Sequence, residues 1–382
     1  MTQPGPPATA LEQRKRSPDA PVWGQVVVGP PGAGKTTYCA GMQQFLTLAG
    51  RRVAVINLDP ANDAVLPYTP AVDIGELVSL EGVQQELGLG PNGGLVYCLE
   101  YLEQNLDWLA ERLAPLEAEG CYLLFDLPGQ VELFTLHSSL RRILEVLTRR
   151  WQYRLTTVQL VDAHLCSDPA KYLSALLLSL STMLHLELPQ VNVLSKMDLI
   201  QQYGELAFSL DFYLQAQGLS HLAEAMEGSF PPRFRRMTEE LCEVIEDFGL
   251  LSFQPLAIED RDSVRHLVAS IDKSNGFVFA GLAKAGQPAP EMQYSAGLTE
   301  DSSDLWDQMR ERYIDRDLQV QERQPCVVGL QQEPQAGAAE VQEPQQAKQQ
   351  AQQAQPTLDQ QQQHQQPATA EEMQQQQRGA GL

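Results

Sequence analysis

The chain has 382 residues, of which 43% are hydrophobic, and this is enough to bury the core of one large or two modest domains. Its net charge of −22 disfavours direct binding to nucleic acid and to anionic membranes, because both partners require a basic surface. No apolar run reaches about eighteen residues and the N-terminus has no apolar signal stretch, so we expect neither a membrane span nor a secretory leader. The six cysteines show no zinc-type spacing, which favours a reducing intracellular compartment.

Short apolar runs recur along the chain and are separated by helical patterns. The strand candidates cover residues 22–28, 53–57, 121–126, 155–161, 190–194 and 253–258. Runs that are apolar on both faces suit strands covered on both sides by helices. The alternation therefore predicts an α/β fold, a P-loop NTPase with a mostly parallel sheet flanked by helices.

An insertion at 73–119 separates the second and third strands. It opens on a capping-box pattern from Asp73 to Glu76, for which we predict a short helix to about Leu87, and a turn-rich stretch follows at 88–94. Leucines then recur in steps of four and three, which predicts one long helix. They are Leu95, Leu99, Leu102, Leu106, Leu109 and Leu113. This stripe fits either packing against the domain's own body or a dimer interface, and the spacing leaves both open.

Composition sets the outer boundaries of the domain. Residues 1–20 are rich in proline and are predicted to form a disordered arm, and residues 21–280 form the globular domain. Residues 281–330 are predicted to form an acidic linker with a short helix. Glutamine occupies 21 of the 52 positions in residues 331–382, so this tail is predicted to be disordered, without chemistry of its own.

The strongest motif lies at 29–36, which reads Gly-Pro-Pro-Gly-Ala-Gly-Lys-Thr between the first strand candidate and a helix candidate at 37–48. It matches the phosphate-binding P-loop, in which backbone N–H groups and the following helix surround a phosphate chain. Lys35 is expected to neutralise the β- and γ-phosphates. The Thr36 hydroxyl is expected to bind Mg²⁺.

Two acidic residues follow the ends of later strands. Asp59 follows the second strand and Asp126 ends the third, where ligands bind in parallel sheets. Asp126 fits a Walker-B residue that holds Mg²⁺, and Gly129 leaves room for a γ-phosphate. Gln130 and Glu132 come next and are candidates for orienting the attacking water.

Residues 195–198 read Ser-Lys-Met-Asp after the fifth strand candidate, and the 253–258 run would supply the last loop on the base side. Asp198 can accept two hydrogen bonds from guanine, and the stem of Lys196 can pack on the base. Asn or Thr is usual at the first position. The shorter Ser195 is therefore expected to brace the neighbouring loops less well.

Taken together, these motifs resemble the GPN-loop GTPases over about residues 20–280. The resemblance rests on residues 29–37, 59–62, 87–94, 126–132 and 195–198, and its most specific element is Gly90-Pro91-Asn92. It implies a dimeric GTPase in which Gly90, Pro91 and Asn92 act on the partner's phosphates. It also implies a role in the assembly and nuclear localisation of RNA polymerases II and III, with RNA polymerase subunits as clients. Homodimers and heterodimers with paralogous GPN-loop GTPases are both implied, in the cytoplasm, with shuttling to the nucleus left open.

The candidate residues fall into three sets. The catalytic candidates are Asp59, Asp126, Gln130, Glu132 and Asn92. The candidates for binding GTP are Gly29, Gly32, Ala33, Gly34, Lys35, Thr36, Thr37, Gly129, Gly90, Pro91, Asn92, Ser195, Lys196 and Asp198. The candidates for Mg²⁺ are Thr36, Asp59 and Asp126.

Three other functions compete with a GTPase switch. A nucleotide or polynucleotide kinase usually carries an arginine-rich lid, whereas the insertion holds only Arg112. An ATPase is disfavoured by Asp198. A non-hydrolysing, nucleotide-dependent scaffold within a heterodimer stays open.

Overall fold

The computed structural model describes residues 21–62, 66–204, 206–226, 231–279 and 312, which lie in a unit spanning 1–324. The predicted arm, nearly all of the predicted linker and the glutamine-rich tail therefore lie outside the described residues. Seven strands form one sheet in the order β3-β2-β4-β1-β5-β6-β7, with every neighbouring pair parallel. The predicted fold class is confirmed. The strands are β1 Trp23–Val28, β2 Val53–Asn57, β3 Val72–Asp73, β4 Tyr122–Asp126, β5 Arg154–Asp162, β6 Gln190–Ser195 and β7 Phe253–Pro255.

Eleven α-helices occur in the described part of the chain. They are α1 Lys35–Leu48, α2 Leu80–Leu87, α3 Pro91–Gln104, α4 Leu106–Ala118, α5 Val131–Thr135, α6 Ser138–Glu145, α7 Pro169–Leu186, α8 Leu210–Gln215, α9 Ser220–Ala225, α10 Arg235–Phe248 and α11 Arg261–Asn275. Tighter 3₁₀ turns lie at Ile74–Glu76, Ala163–Ser167, Met197–Tyr203, Pro232–Phe234 and Phe277–Phe279, and a π turn at Val146–Arg150. None of the helices in these residues is both long and apolar enough to cross a bilayer.

Both faces of the sheet are buried, which explains why its strands are apolar runs. Val26 and Val28 pack in a core with α3, α4 and α6, whereas Val27 between them packs in a second core with α1 and α11. A third core joins the β5–β7 side to α7, α8, α9 and α10. Successive side chains of a strand point to opposite faces, so both must be apolar here.

The single long helix predicted from the leucine stripe is wrong, because the insertion contains α3 and α4. They meet at Asn105, which leaves the helical region with φ −115° and ψ 41°. Its side-chain amide donates to the Tyr101 carbonyl at 2.7 Å, so it competes with the backbone hydrogen bonding of a continuous helix. The leucine spacing continues unchanged across Asn105, so the sequence pattern does not reveal this break.

The leucine stripe packs against the domain's own body, as one of the two interpretations held. The side chains of Leu99, Leu102, Leu106, Leu109 and Leu113 are buried in the core beneath β1, β2 and β4, and Leu95 packs against it partly buried. They are therefore not available for a dimer interface.

The start of the insertion also differs from the predicted short helix. Asp73 caps only a 3₁₀ turn, accepting from the Gly75 N–H at 2.8 Å, and α2 begins later with Ser79 as its own cap. The Gly-Pro-Asn sequence begins α3 rather than forming a loop. Gly90 is its N-cap and Pro91 its first residue, a position where a missing N–H costs nothing.

Candidate functional site

The candidate residues gather at the carboxyl ends of the central strands. The P-loop follows β1, Asp126 ends β4, and the two strands are hydrogen-bonded neighbours with Val27 beside Asp126. Asp59 follows β2 on the other side of β4, and Ser195 ends β6 beyond β5. Parallel strands bring these ends to one edge of the sheet, which is where ligands bind in this architecture.

The P-loop has the backbone shape of an anion-binding loop. Gly32 and Gly34 adopt positive φ angles of 81° and 90°, which side-chain-bearing residues rarely adopt. Gly34 is the N-cap of α1 and supplies no side chain to its first turn, so N–H groups there face the loop opening. The start of a fourteen-residue helix adds its positive dipole end at the same place.

Lys35 lies inside the loop with only 8% of its surface exposed. Its amine donates to the Pro30 carbonyl at 3.4 Å. Burial lowers the pKa of Lys35, while the nearby carboxylates of Asp126 and Asp59 raise it. The amine is therefore a buried cation with few partners of its own, which favours contact with an anionic ligand.

Gly129 makes room for that amine. A Cβ on this residue would lie 2.7 Å from Lys35 Nζ and 3.2 Å from the Pro31 Cα. The loop after β4 therefore closes directly onto the P-loop, and any side chain at this position would have to displace the Lys35 amine.

Asp126 is fully buried beside Lys35. The Tyr68 hydroxyl donates to its Oδ2 at 2.7 Å, and its Oδ1 has no hydrogen-bond partner among the described residues. Burial raises the pKa of Asp126, against hydrogen bonding from Tyr68 and Thr36. Tyr68 was missed by sequence reasoning, because it lies in a stretch without periodicity.

Asp59 lies in a turn that two asparagines organise. Its carboxylate accepts from the Ala61 N–H at 2.9 Å. Asn57 Oδ1 accepts from the Asp59 N–H at 3.2 Å and from Asn62 Nδ2 at 2.8 Å. Burial raises the pKa of Asp59, while the Ala61 hydrogen bond and the charge of Lys35 lower it. Asp59 thus serves the turn and faces Lys35 as well.

The side-chain oxygens at this site suit a magnesium ion that is bound partly by the protein and partly by a phosphate. No group of three or more His, Cys, Asp or Glu side chains that could hold a metal occurs among the described residues. Mg²⁺ in phosphate sites takes one or two carboxylates and fills its shell with phosphate oxygens and water. The unpartnered Oδ1 of Asp126 and the adjacent Thr36 hydroxyl match that requirement.

The two candidates that follow Gly129 have different surroundings. Gln130 is the N-cap of α5, and its side-chain oxygen is buried without a hydrogen-bond partner in the described residues. Glu132 lies in the first turn of α5 and is exposed. Gln130 therefore has an oxygen in need of a polar partner, whereas Glu132 faces solvent.

Ser195 braces the loops, contrary to the expectation that a serine would do so poorly. Its hydroxyl lies 2.9 Å from the Ala33 carbonyl of the P-loop and 3.1 Å from the Val161 carbonyl of β5. The side chain is buried and sits on the strand end next to both carbonyls, so a short hydroxyl reaches them.

Lys196 and Asp198 lie on the same side. Lys196 adopts a positive φ of 60°, and its amine donates to Asp162 Oδ2 at 2.6 Å. Its Cε would lie 3.9 Å from a Cβ on Gly34, so its stem passes over the P-loop. Asp198 is exposed in the turn Met197–Tyr203. Asp162 was missed by sequence reasoning, although its position at the end of β5 was a usable signal.

The loop that follows β7 joins this side of the site, as the 253–258 run was expected to do. The Met197 N–H donates to the Leu256 carbonyl at 3.2 Å, and the Leu256 N–H donates to the Leu194 carbonyl at 2.8 Å. The strand itself ends at Pro255, earlier than the apolar run suggested.

The Gly-Pro-Asn residues lie apart from these groups. Gly90, Pro91 and Asn92 are all exposed at the start of α3. Among the described residues, no hydrogen bond joins them to the P-loop. Within one chain, the described hydrogen bonds therefore do not connect Asn92 with the other candidates.

Comparisons with known proteins agree with this geometry. A family model described as "Conserved hypothetical ATP binding protein" matches residues 27–277. The GPN-loop GTPase QQT1 of Arabidopsis thaliana is 60% identical over 264 residues, covering 68% of this chain and 87% of that protein. GPN-loop GTPase 2 of Danio rerio is 56% identical, covering 68% and 83%, and that of Saccharomyces cerevisiae is 41% identical, covering 83% and 92%. A crystal structure of a GTPase in apo form from Pyrococcus abyssi matches with a TM-score of 0.55 and 25% identity, covering 66% of this chain and 97% of that one.

Proposed function

The chain belongs to the GPN-loop GTPase family and is a P-loop GTPase, and from this premise we propose how its own residues bind and hydrolyse GTP. The observation that carries the proposal is the buried Asp126 carboxylate with one unpartnered oxygen beside the buried Lys35 amine. A cation and an anionic phosphate chain between these groups would supply the partners that both lack.

The phosphates lie in the P-loop, with Lys35 against the β- and γ-phosphates and the N–H groups of 32–37 around them. Thr36, Asp59 and Asp126 are the candidate Mg²⁺ ligands. When bound, Mg²⁺ neutralises charge on the phosphate oxygens. Gly129 places its N–H near the γ-phosphate, because its missing side chain lets the loop approach Lys35 and Pro31.

Gln130 orients the attacking water through its buried side-chain oxygen, and Glu132 assists from the exposed first turn of α5. Phosphoryl transfer requires mainly positioning and charge neutralisation, so these groups need not form a covalent bond. Ser195 holds the P-loop against β6, and Lys196 lies beside it with Asp198 available to the guanine edge.

Dimerisation completes the site in this proposal. Gly90, Pro91 and Asn92 are exposed at the tip of α3, where they are free to enter a partner's site. GTP hydrolysis then acts as a switch that opens and closes the dimer. The resemblance extends this switch to assembly and nuclear localisation of RNA polymerases II and III, in the cytoplasm with shuttling to the nucleus.

Base preference tests the nucleotide assignment. We expect hydrolysis of GTP to exceed that of ATP, and Asp198→Asn to weaken GTP and admit xanthosine triphosphate, whose 2-oxo group can accept from the new amide. Steady-state rates with the three nucleotides measure this. Asp107→Asn makes the same chemical change at an exposed site in α4 and should leave all three rates unchanged.

Two outcomes separate the parts of the proposal. Unchanged guanine preference in Asp198→Asn removes Asp198 from the base site but leaves the P-loop assignment standing. Lys35→Ala is expected to abolish tight nucleotide binding, and an affinity equal to that of the parent chain would refute the phosphate site itself.

A further inference from the structure

A groove runs along α1 and meets the proposed GTPase site only at Thr37. It has a volume of about 640 Å³ and is bordered by the outer face of α1 and by the loop between β7 and α11. Phe45 and Leu48 line it from the helix, and Ile258 and Val264 line it from the opposite side. Leu48 is 88% exposed, which is unusual for a leucine beside other apolar side chains. The groove therefore presents an apolar surface without a described cover.

The chain itself passes both ends of this groove. At one end the turn Phe277–Phe279 follows α11, and the Arg51 guanidinium lies 4.2 Å from the centre of the Phe277 ring. Arg51 comes just after Leu48 and Ala49, which line that end. At the other end Glu259 and Arg261 line the groove, and Asp260 lies between them in the chain.

One described residue from the C-terminal region lies at this second end. Arg312 is helical, and its guanidinium lies 2.7 Å from Asp260 Oδ2. The Asp260 side chain is only 11% exposed, so the ion pair is partly shielded from solvent and salt. Residue 312 is thus held beside the groove, 33 positions after the chain left the other end at 279.

The sequence around Arg312 has an apolar face that suits an apolar groove. Leu305, Trp306, Met309 and Tyr313 are spaced as one face of a helix, with charged residues between them. Eleven helical residues would span about 16 Å, which is about the length of α1 from Thr37 to Leu48. The residues between 279 and 304 are long enough to return from one end of the groove to the other, since extended backbone covers about 3.3 Å per residue.

We propose that residues 304–314 of this chain dock in the groove between α1 and the β7–α11 loop, with the Arg312–Asp260 ion pair fixing one end. The apolar face with Trp306 and Met309 covers Phe45, Leu48 and Ile258. The Arg312–Asp260 ion pair sets the direction in which the segment lies along the groove. The proposal does not depend on the GTPase mechanism, because apart from Thr37 the residues that line the groove are not candidates for binding or hydrolysing GTP. A second copy of the chain and a separate partner protein are the other occupants to be tested.

The experiment measures how fast a thiol reagent labels a cysteine placed in the groove. Gln44→Cys lies on the α1 side of the groove, and Thr47→Cys is a matched control on α1 that does not line it. Both are made in the full chain, in a chain ending at Val320 and in a chain ending at Thr299. The cysteines of the described residues are buried, and Cys326 is replaced by serine in the full chain.

We expect labelling at position 44 to be slow in the full chain and in the chain ending at 320, and about tenfold faster in the chain ending at 299. Labelling at position 47 should be equal in all three. A synthetic peptide of residues 301–320 should restore protection to the shortest chain. Arg312→Glu should accelerate labelling at 44 in the full chain, whereas Arg310→Glu, with the same charge change, should not.

Equal labelling at position 44 in all three chains would overturn the proposal. Protection that disappears on dilution of the full chain would assign the groove to a second copy instead. Protection that needs a component of a cell extract, and is absent in the pure full chain, would assign it to another protein. Circular dichroism of each truncated chain checks that faster labelling is not due to unfolding.

Discussion

At the scale of single residues, the site depends on how closely backbone and side chains approach. A Cβ at Gly129 would lie 2.7 Å from Lys35 Nζ and 3.2 Å from the Pro31 Cα. The Lys35 amine is buried here and donates to the Pro30 carbonyl on the same loop. The position of the charge that binds phosphate is therefore set by a residue with no side chain.

Gly129→Ala should lower GTP affinity and hydrolysis without unfolding the protein. The added methyl displaces the flexible end of Lys35 from the loop, so we expect about a 10²-fold loss in kcat/KM, the loss typical of a misplaced positioning group. Nucleotide titration and steady-state kinetics measure this. A melting temperature within a few degrees of the parent's serves as the control. Full activity in a variant shown to be folded would mean that Lys35 does not hold the phosphates from this place.

Ser195 is the second residue whose contacts depend on its position more than on the size of its side chain. Ser195→Ala removes the single proton shared between the Ala33 and Val161 carbonyls, both of which lie in the interior. We expect a loss of about 1–2 kcal/mol in unfolding free energy, together with weaker GTP binding. Ser174→Ala removes an exposed hydroxyl that bonds only to its own helix, and it should be nearly neutral. Urea unfolding of the two variants compares them, and equal stabilities would show that the brace contributes nothing.

At the scale of elements, the sheet was predictable apart from its short edge strand β3, and the insertion was not. A strand buried on both faces must be apolar throughout, so every central strand stood out in the sequence. The break at Asn105 was not visible in the sequence. The leucines of α3 and α4 keep the same helical spacing across it, because both helices bury these leucines in one core. The predicted P-loop, Asp126 and Ser195 all reach one edge of the sheet. Tyr68 could not be assigned to this edge, since its contact with Asp126 joins positions 58 residues apart and its own segment has no periodicity. Asp162 was overlooked, although it ends β5 and pairs with Lys196 at the same edge.

An ion pair ties the end of α1 to α11. The Arg51 guanidinium donates to both carboxylate oxygens of Asp272, and both side chains are largely buried. Burial raises the pKa of Asp272, while the hydrogen bond and charge of Arg51 lower it. The pair connects the helix after the P-loop to the last helix of the domain.

Arg51→Met should therefore destabilise the protein, and more so at high pH. Without Arg51 the folded-state pKa of Asp272 rises further above its unfolded value, so the folded state binds the proton more tightly. Stability is then lost as pH rises through that pKa, and the penalty shrinks as pH falls toward the unfolded value. We expect a loss of about 3–5 kcal/mol at about pH 8 and a smaller one at about pH 5.5. Urea midpoints at both pH values measure it.

The control for this prediction is the exposed pair of Arg112 with Glu76, whose side chains are 52% and 50% exposed. Arg112→Met should change stability by less than about 1 kcal/mol at either pH. A penalty for Arg51→Met that does not vary with pH would mean that lost packing on Phe277 and Tyr122, rather than the unpaired Asp272 carboxylate, dominates.

At the scale of the whole molecule, the described chain contains a phosphate site but keeps its most specific motif away from it. The leucine stripe of the insertion is used by the domain's own core, so the proposed dimer contact would have to use other surface. The insertion offers apolar surface elsewhere, with Leu87 49% exposed at the end of α2 and Tyr101 36% exposed near the end of α3. This distribution favours a partner that meets α2 and α3.

Mixing two inactive variants tests whether Asn92 acts on the partner's GTP. Lys35→Ala retains Asn92 but cannot hold phosphate, whereas Asn92→Ala binds GTP but cannot complete the opposite site. In random mixed dimers half the molecules carry one complete site, so an equal mixture should recover about a quarter of the parent's activity. Activity should also fall on dilution below the dimer's dissociation range. Differently tagged subunits recovered together establish that mixed dimers form. Mixed dimers with no recovered activity would place Asn92 outside the partner's site, and activity that persists unchanged in dilute monomer would place the whole reaction within one chain.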